Sequence, residues 1–163
     1  MLKIALDLDD TIFVWRKSHE DRFNCKLRKM KADKITAQVH SLRRDKKFWS
    51  NLPLLERPDF DAYIYATKRE NSKSYTIACL RKHKLPIRPI LQFYNQSDNK
   101  ADKLKGIADI LIDDSWFNVQ QCLSVGFPAL LITRPHNKWV KTKYRVSHLN
   151  YKEIEDKYNE LFR

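Results

Sequence analysis

The sequence predicts an α/β fold: an open, Rossmann-like parallel sheet with a small helical cap inserted after the first strand. Three observations lead there. From residue 61 onward, short apolar runs alternate with amphipathic stretches, the pattern of parallel strands joined by helices that cover both faces. The first run, "LKIALDL" at 2–8, is apolar on both faces, as a strand inside such a sheet must be. Between that run and the alternation, residues 14–50 follow a helical period and carry a dense set of cations.

The elements follow in order. In the insertion, Phe23, Leu27 and Met30 share one helical face, as do Ile35, Val39 and Leu42, so two amphipathic helices are expected. "FWSNLPLLERPDF" then returns to the sheet through two prolines. The expected division is a core of residues 1–13 and 58–163 and a cap of residues 14–57. "AYIYAT" is the second strand, and residues 72–84 form a helix ending in "RKHK", cations where the helix dipole favours them. "IRPILQFY" and "ADILID" supply strands three and four. Ser115 is placed to cap the next helix, whose stripe is Val119, Cys122 and Leu123 and whose stop is Gly126. "PALLIT" is a fifth strand; Asn150 and Glu153 are a capping pair for a last helix burying Ile154, Tyr158 and Leu161.

Composition narrows the function. A chain of 163 residues is most simply one domain, and 42% hydrophobic residues mark it as folded rather than disordered. The net charge of +12 points to polyanionic partners or anionic substrates, or to a basic surface of no specific use. Cys25, Cys79 and Cys122 lack metal-ligand spacing and are expected to be buried, reduced thiols. The longest uncharged apolar run, "GFPALLI", is too short to span a bilayer, so a soluble cytoplasmic protein is expected, with no membrane partner.

The chemistry lies at the strand ends. Asp7, Asp9 and Asp10 crowd the end of the first strand, and Asp113 and Asp114 the end of the fourth. In open α/β sheets, ligands bind beyond the carboxyl ends of the strands where the strand order reverses. Hard oxygen donors at that density suit Mg²⁺, which keeps room for a phosphate oxygen. Thr67 ends the second strand with a hydroxyl, and Lys103 precedes Asp113 in a short helix-like stretch. A carboxylate, a hydroxyl, an ammonium and a metal cage together make an inventory for phosphoryl transfer.

In these residues the chain resembles the haloacid dehalogenase superfamily of phosphatases. "DLDDT" matches the first motif, Thr67 the second, Lys103 the third and the Asp113–Asp114 pair the fourth, in order across most of the chain. Asp10 stands where the family usually has glycine. "TKR" at 67–69, "KLKGIADILIDD" and "ITRPHN" are similar to the 5'(3')-deoxyribonucleotidase branch. The resemblance implies a nucleophile, Asp7, and an acid/base, Asp9, with Thr67 and Lys103 completing the catalytic set. It implies Mg²⁺ held by Asp7, Asp9 through its backbone carbonyl, Asp113 and Asp114, the last either a direct ligand or one shell out. Lys105 is the rival to Lys103, expected instead as an exposed helix cation. Asp10 is expected to face solvent, Thr11 to tie its turn, and His136 to be a loop histidine or a phosphate contact. Substrate binding is expected from Thr67, Lys68, Arg69 and Lys103. Phe13 and Trp15, like Phe48 and Trp49, flank the cap junctions and either stack on a nucleobase or form hinge core. Three functions stay open: a phosphatase of mononucleotides or other small phosphate monoesters, a phosphatase of nucleic-acid ends, and a basic nucleic-acid-binding module without turnover.

Overall fold

The computed structural model describes residues 1–93 and 98–163. Its strands are β1 (Ile4–Leu6), β2 (Ile64–Thr67), β3 (Ile90–Gln92), β4 (Ile110–Asp113), β5 (Ala129–Ile132) and β6 (Arg145–Val146). They pair in parallel throughout, in the order β3-β2-β1-β4-β5-β6. The order reverses between β1 and β4, which is where a ligand crevice opens in such sheets. The expected fold is present. Strand β6 has no counterpart in the sequence reading: two residues, one of them a half-buried arginine, leave no hydrophobic period to detect. Tyr94, the last residue of the expected third strand, lies outside the described residues.

Side chains alternate across the sheet with the period of two that a pleat imposes. Ile4, Leu6, Tyr65, Ile112, Leu130 and Ile132 enter one apolar layer, closed by Ile154 of the last helix. Ala5, Ile64, Ala66, Leu111, Ala129 and Leu131 enter the other, with Val119 and Cys122. Small residues on the second face let helix α6 (Trp116–Ser124) and the short α5 (Ala101–Leu104) sit against the strands. Cys79 and Cys122 are buried as expected, but Cys25 is only half-buried on the cap; all three are free thiols.

The cap holds α1 (Arg16–Phe23), a 3-10 turn (Leu27–Lys29), α2 (Ala32–Leu42) and α3 (Lys46–Ser50). Helix α2 carries the expected Ile35, Val39 and Leu42 face. The first helix lies earlier than the Phe23, Leu27 and Met30 stripe suggests. Asn24 takes a left-handed conformation, φ 46°, and ends the helix in mid-stripe. Helix α3 is an addition to the expected pair; Asp45 starts it by accepting a 2.8 Å hydrogen bond from the Phe48 N–H. The two chain crossings between core and cap run side by side, with Phe13 bridged to Leu54 and the Val14 N–H bonded to the Pro53 carbonyl at 2.9 Å.

Helix α4 (Lys73–Lys82) begins at Ser72, whose hydroxyl accepts from the Ser74 N–H. Helix α7 (Tyr151–Phe162) is capped by Asn150, which accepts from the Glu153 N–H at 2.9 Å. The Glu153 carboxylate does not return the bond; it takes the N–H groups of Ser147 and His148 instead. Among the described residues no helix is long and apolar enough to cross a membrane. Leu130 is wholly buried at the middle of β5. Leu130→Ala should therefore destabilise the protein by about 2–5 kcal/mol in urea denaturation; a loss below about 1 kcal/mol would contradict this packing.

Candidate active site

The site is built from three loops that leave the carboxyl edge of the sheet. After β1 the chain turns sharply: the N–H groups of Ile12 and Phe13 both bond back to the Leu8 carbonyl at 2.9 Å. Asp10 makes that turn with φ 59°, a conformation that glycine takes freely and aspartate tolerates, so aspartate keeps the turn intact. The Asp10 side chain is buried, not solvent-facing as expected. One of its oxygens accepts 3.0 Å bonds from the N–H groups of Trp15 and Arg16, which fixes the start of α1. Burial raises the Asp10 carboxyl pKa, with those backbone bonds pulling against the shift.

The 134–137 segment ties two of the acidic loops together. Arg134 is buried and donates to the carbonyls of Asp10 (3.1 Å) and Thr11 (2.6 Å), and it pairs with Glu56 at 2.7 Å. Asn137 donates to the Asp114 carbonyl at 2.8 Å and the Ile132 carbonyl at 2.9 Å. The Thr11 hydroxyl donates to the Asp114 carboxylate at 3.5 Å, joining its loop to the one after β4 rather than closing its own turn as expected. His136 lies with Nε2 2.7 Å from Asp114 Oδ2, and burial lowers the imidazole pKa.

Asp7 and Asp113 meet around one ammonium, and it belongs to Lys100. Its Nζ lies 2.5 Å from Asp7 Oδ1, 2.8 Å from Asp113 Oδ2 and 2.8 Å from the Ala66 carbonyl, which occupies all three donors. The side chain is fully buried. Lys103, expected to reach the site, is exposed, 3.3 Å from the Gln92 carbonyl and over the Phe93 ring. The reason is direction. A helix crossing between parallel strands runs back down the sheet, so α5 leaves the carboxyl edge at its first residue. Three residues later the chain has descended by about 4.5 Å. Sequence spacing from Asp113 misses this, although "NKADKLKG" offers Lys100 as the lysine nearest the edge. Lys105 is exposed, as expected, and bonds to the Val125 carbonyl.

Asp113 is saturated. Oδ1 accepts from the Ser115 N–H at 2.8 Å, and the Asn118 amide reaches both oxygens at 3.2 and 3.1 Å. Ser115 thus stands at the start of α6 without capping it by its side chain. Asn118 is a site residue the sequence reading passes over, since it lies one position from the apolar stripe. Asp114, not Asp113, lines the cavity. Oxygens of Asp7, Asp113 and Asp114 gather within 4.8 Å of one another, and so do atoms of Asp10, Asp114 and His136. The first group, three hard carboxylates with Asp7 and Asp114 open to the cavity, fits Mg²⁺. The Asp9 carboxylate belongs to neither group.

Asp9 is instead gripped by Arg69, whose guanidinium is buried and reaches both oxygens at 2.6–3.0 Å. Arg69, expected as a substrate contact, lines the cavity, with its guanidinium engaged by Asp9 and Thr76. Thr67 is buried, with its hydroxyl accepting from the Arg69 N–H at 3.2 Å. Lys68 lines the cavity with Nζ 5.8 Å from the Phe117 ring, and burial and the Lys100 charge lower its pKa. Phe13 is hinge core, wholly buried between Arg69 and His83, and so is withdrawn from any stacking on a base. Trp15 and Trp49 face the cavity, as do Ile35, Val39 and the exposed Phe117. Phe48 packs edge-on against Trp49 at 5.1 Å. The cavity, about 340 Å³, has an acidic floor and an apolar roof from the cap.

No protein-family model matches the sequence, and comparison with the curated proteins gives no match. Among solved structures the chain is similar to an L-2-haloacid dehalogenase, with a TM-score of 0.62 and 13% sequence identity over 96% of this chain and 98% of that one. At that identity the likeness establishes the haloacid-dehalogenase-like fold, the Rossmann-like sheet with its flanking helices.

Burial raises the pKa of Asp7 and of Asp114 well above the carboxylate range; Lys100 opposes the shift at Asp7, and Asp113 adds to it at both. A raised folded value means stabilisation that is present below the unfolded pKa of about 4 and lost as pH rises through the folded value. Metal-free protein should thus melt at progressively lower temperature as pH increases from about 4. Asp114→Asn should weaken that slope, and Mg²⁺ should offset it in the wild type far more than in the variant. Thermal unfolding across pH with EDTA or Mg²⁺ checks this. Melting that rises with pH in EDTA, or no response to Mg²⁺, would contradict this arrangement of carboxylates.

Proposed function

We propose that the protein is a Mg²⁺-dependent phosphatase that works through an aspartyl-phosphate on Asp7, with nucleoside monophosphates as substrates. The observation that carries it is the gathering of Asp7, Asp113 and Asp114, with the Lys100 ammonium between Asp7 and Asp113 and Asp9 beside them at the cavity wall. Hydrolysing a phosphate monoester requires two negative partners to approach, and this floor concentrates the cations that allow it.

Asp7 and Asp114 would hold Mg²⁺, with the saturated Asp113 adding its charge beside them, and the ion would supply charge neutralisation for the phosphoryl group. Lys100 has no donor left for substrate, so it contributes its charge and holds Asp7 Oδ1, leaving Oδ2 as the attacking atom. Attack on phosphorus breaks the bond to the leaving oxygen, which departs with the electron pair and takes a proton from Asp9. Water then attacks the phosphorus of the aspartyl-phosphate while Asp9 accepts its proton, and phosphate and free Asp7 result. The Thr67 hydroxyl, at the end of β2, donates to a phosphoryl oxygen. Asp9 as an acid argues for an ester over an alkyl halide in the first step, because a halide leaves without a proton.

The size of this cavity, about 340 Å³, suits a mononucleotide. Its apolar roof of Trp15, Trp49, Ile35 and Val39, with Phe117 at the rim, suits a base and leaves the phosphate on the acidic floor. The exposed cations of the cap, among them Lys26, Lys29, Lys31, Lys34 and Lys47, keep nucleic-acid ends as the second reading. A polymer would show itself by a steep loss of affinity with salt, a log–log slope of about −0.7 per phosphate contact for single strands.

Wild-type protein with Mg²⁺ should release phosphate from deoxynucleoside monophosphates, and Asp7→Asn should lower the rate by about two decades or more. Preference for a phosphorylated oligonucleotide with a steep salt slope would move the substrate to nucleic-acid ends. Halide release from 2-haloacids without phosphatase activity would replace the reading altogether. Lys100→Met should cost about 100-fold or more in kcat, whereas Lys103→Met should stay within about threefold of wild type. The reverse order would return the role to Lys103.

A further inference from the structure

We infer that Arg69 is the positioning residue for Asp9, setting which carboxylate oxygen meets the leaving group; the inference rests on the phosphatase reading. An arginine that binds phosphate keeps donors turned to the cavity. Arg69 borders the cavity, but its side chain is completely buried and each of its three guanidinium nitrogens is already engaged within the protein. Nη1 bonds to Thr76 Oγ1 at 3.1 Å, and the guanidinium carbon lies 5.2 Å from the Trp49 ring and 5.5 Å from the Phe13 ring. Helix α4 and the two cap junctions thus hold the guanidinium plane in place.

Its grip on Asp9 is lopsided. Oδ1 takes Nη2 at 2.6 Å and Nε at 3.0 Å, while Oδ2 shares only Nε, at 2.9 Å. Oδ1 is therefore the anchored oxygen, and Oδ2 keeps lone-pair capacity for a proton and a leaving oxygen. When the phosphorus–oxygen bond breaks, the electron pair goes to the leaving oxygen, the proton moves there from Oδ2, and the resulting carboxylate is left paired with Arg69. Proton transfer is sensitive to misplacement of the acid by an ångström or less. The consequence depends on the leaving group. An alkoxide needs the proton, whereas p-nitrophenolate departs without it.

The test compares kcat/KM for a nucleoside 5'-monophosphate and for p-nitrophenyl phosphate in wild type, Arg69→Lys and Arg69→Met, each checked for folding by circular dichroism. Arg69→Met keeps the stem between the two rings and serves if the lysine variant fails to fold. The expected result is a loss at least about tenfold larger on the nucleotide than on p-nitrophenyl phosphate, carried by kcat and partly restored in the lysine variant relative to methionine. Adding Arg69→Met to Asp9→Asn should produce little further loss, because the two act as one unit. An equal loss on both esters, a loss confined to KM, or no loss would overturn the inference and leave the phosphatase reading standing. A wild type inert on both esters would sink that reading, and this inference with it.

Discussion

Everything at the carboxyl edge depends on one buried ammonium. Without Lys100, Asp7 and Asp113 would be two carboxylates on adjacent strands, out of water, with no counter-charge. Removing one member of a buried ionic cluster usually costs more than the cluster itself contributes, since it leaves the others uncompensated. Lys100 also accepts no compromise in position: its third donor is fixed on the Ala66 carbonyl, inside β2. The ammonium therefore locks β1, β2 and β4 together at the point where the strand order reverses.

Around that lock the structure spends polar side chains on posture. Asn118 and the Ser115 N–H saturate Asp113, Arg134 and Asn137 hold the carbonyls of the acidic turns, and Arg69 holds Asp9. Asp7 and Asp114 are left as the carboxylates with capacity toward the cavity. A charged group fixed before substrate arrives needs no reorganisation during the reaction, which is where electrostatic catalysis gains most. The cap has a different task. Trp15, Trp49, Ile35 and Val39 give it an apolar underside, and the cations on its outer face give it a basic exterior.

The sheet is legible in the sequence because its strands are short, apolar and regularly spaced, and the acidic strand ends mark the crevice from sequence alone. The failures have physical causes. Lys103 and Lys100 differ by three positions, and only the direction of α5 decides between them. Helix α1 is misplaced by periodicity because Asn24 breaks a stripe that periodicity alone cannot interrupt. Phe13 and Arg69 look like substrate contacts, since an aromatic and a cation beside a motif carry no sign of burial. Asn118 leaves no signal: a polar residue one step from an apolar stripe is expected to face water, and in this fold it faces Asp113.

The central claim is that Asp7 takes the phosphoryl group before water does. The stereochemistry at phosphorus tests it most directly. A nucleoside monophosphate made chiral at phosphorus with sulfur and oxygen isotopes would be hydrolysed in isotopically labelled water and the product's configuration read. Two successive in-line displacements predict retention. Inversion would mean direct attack by water, and would contradict Asp7 as the nucleophile.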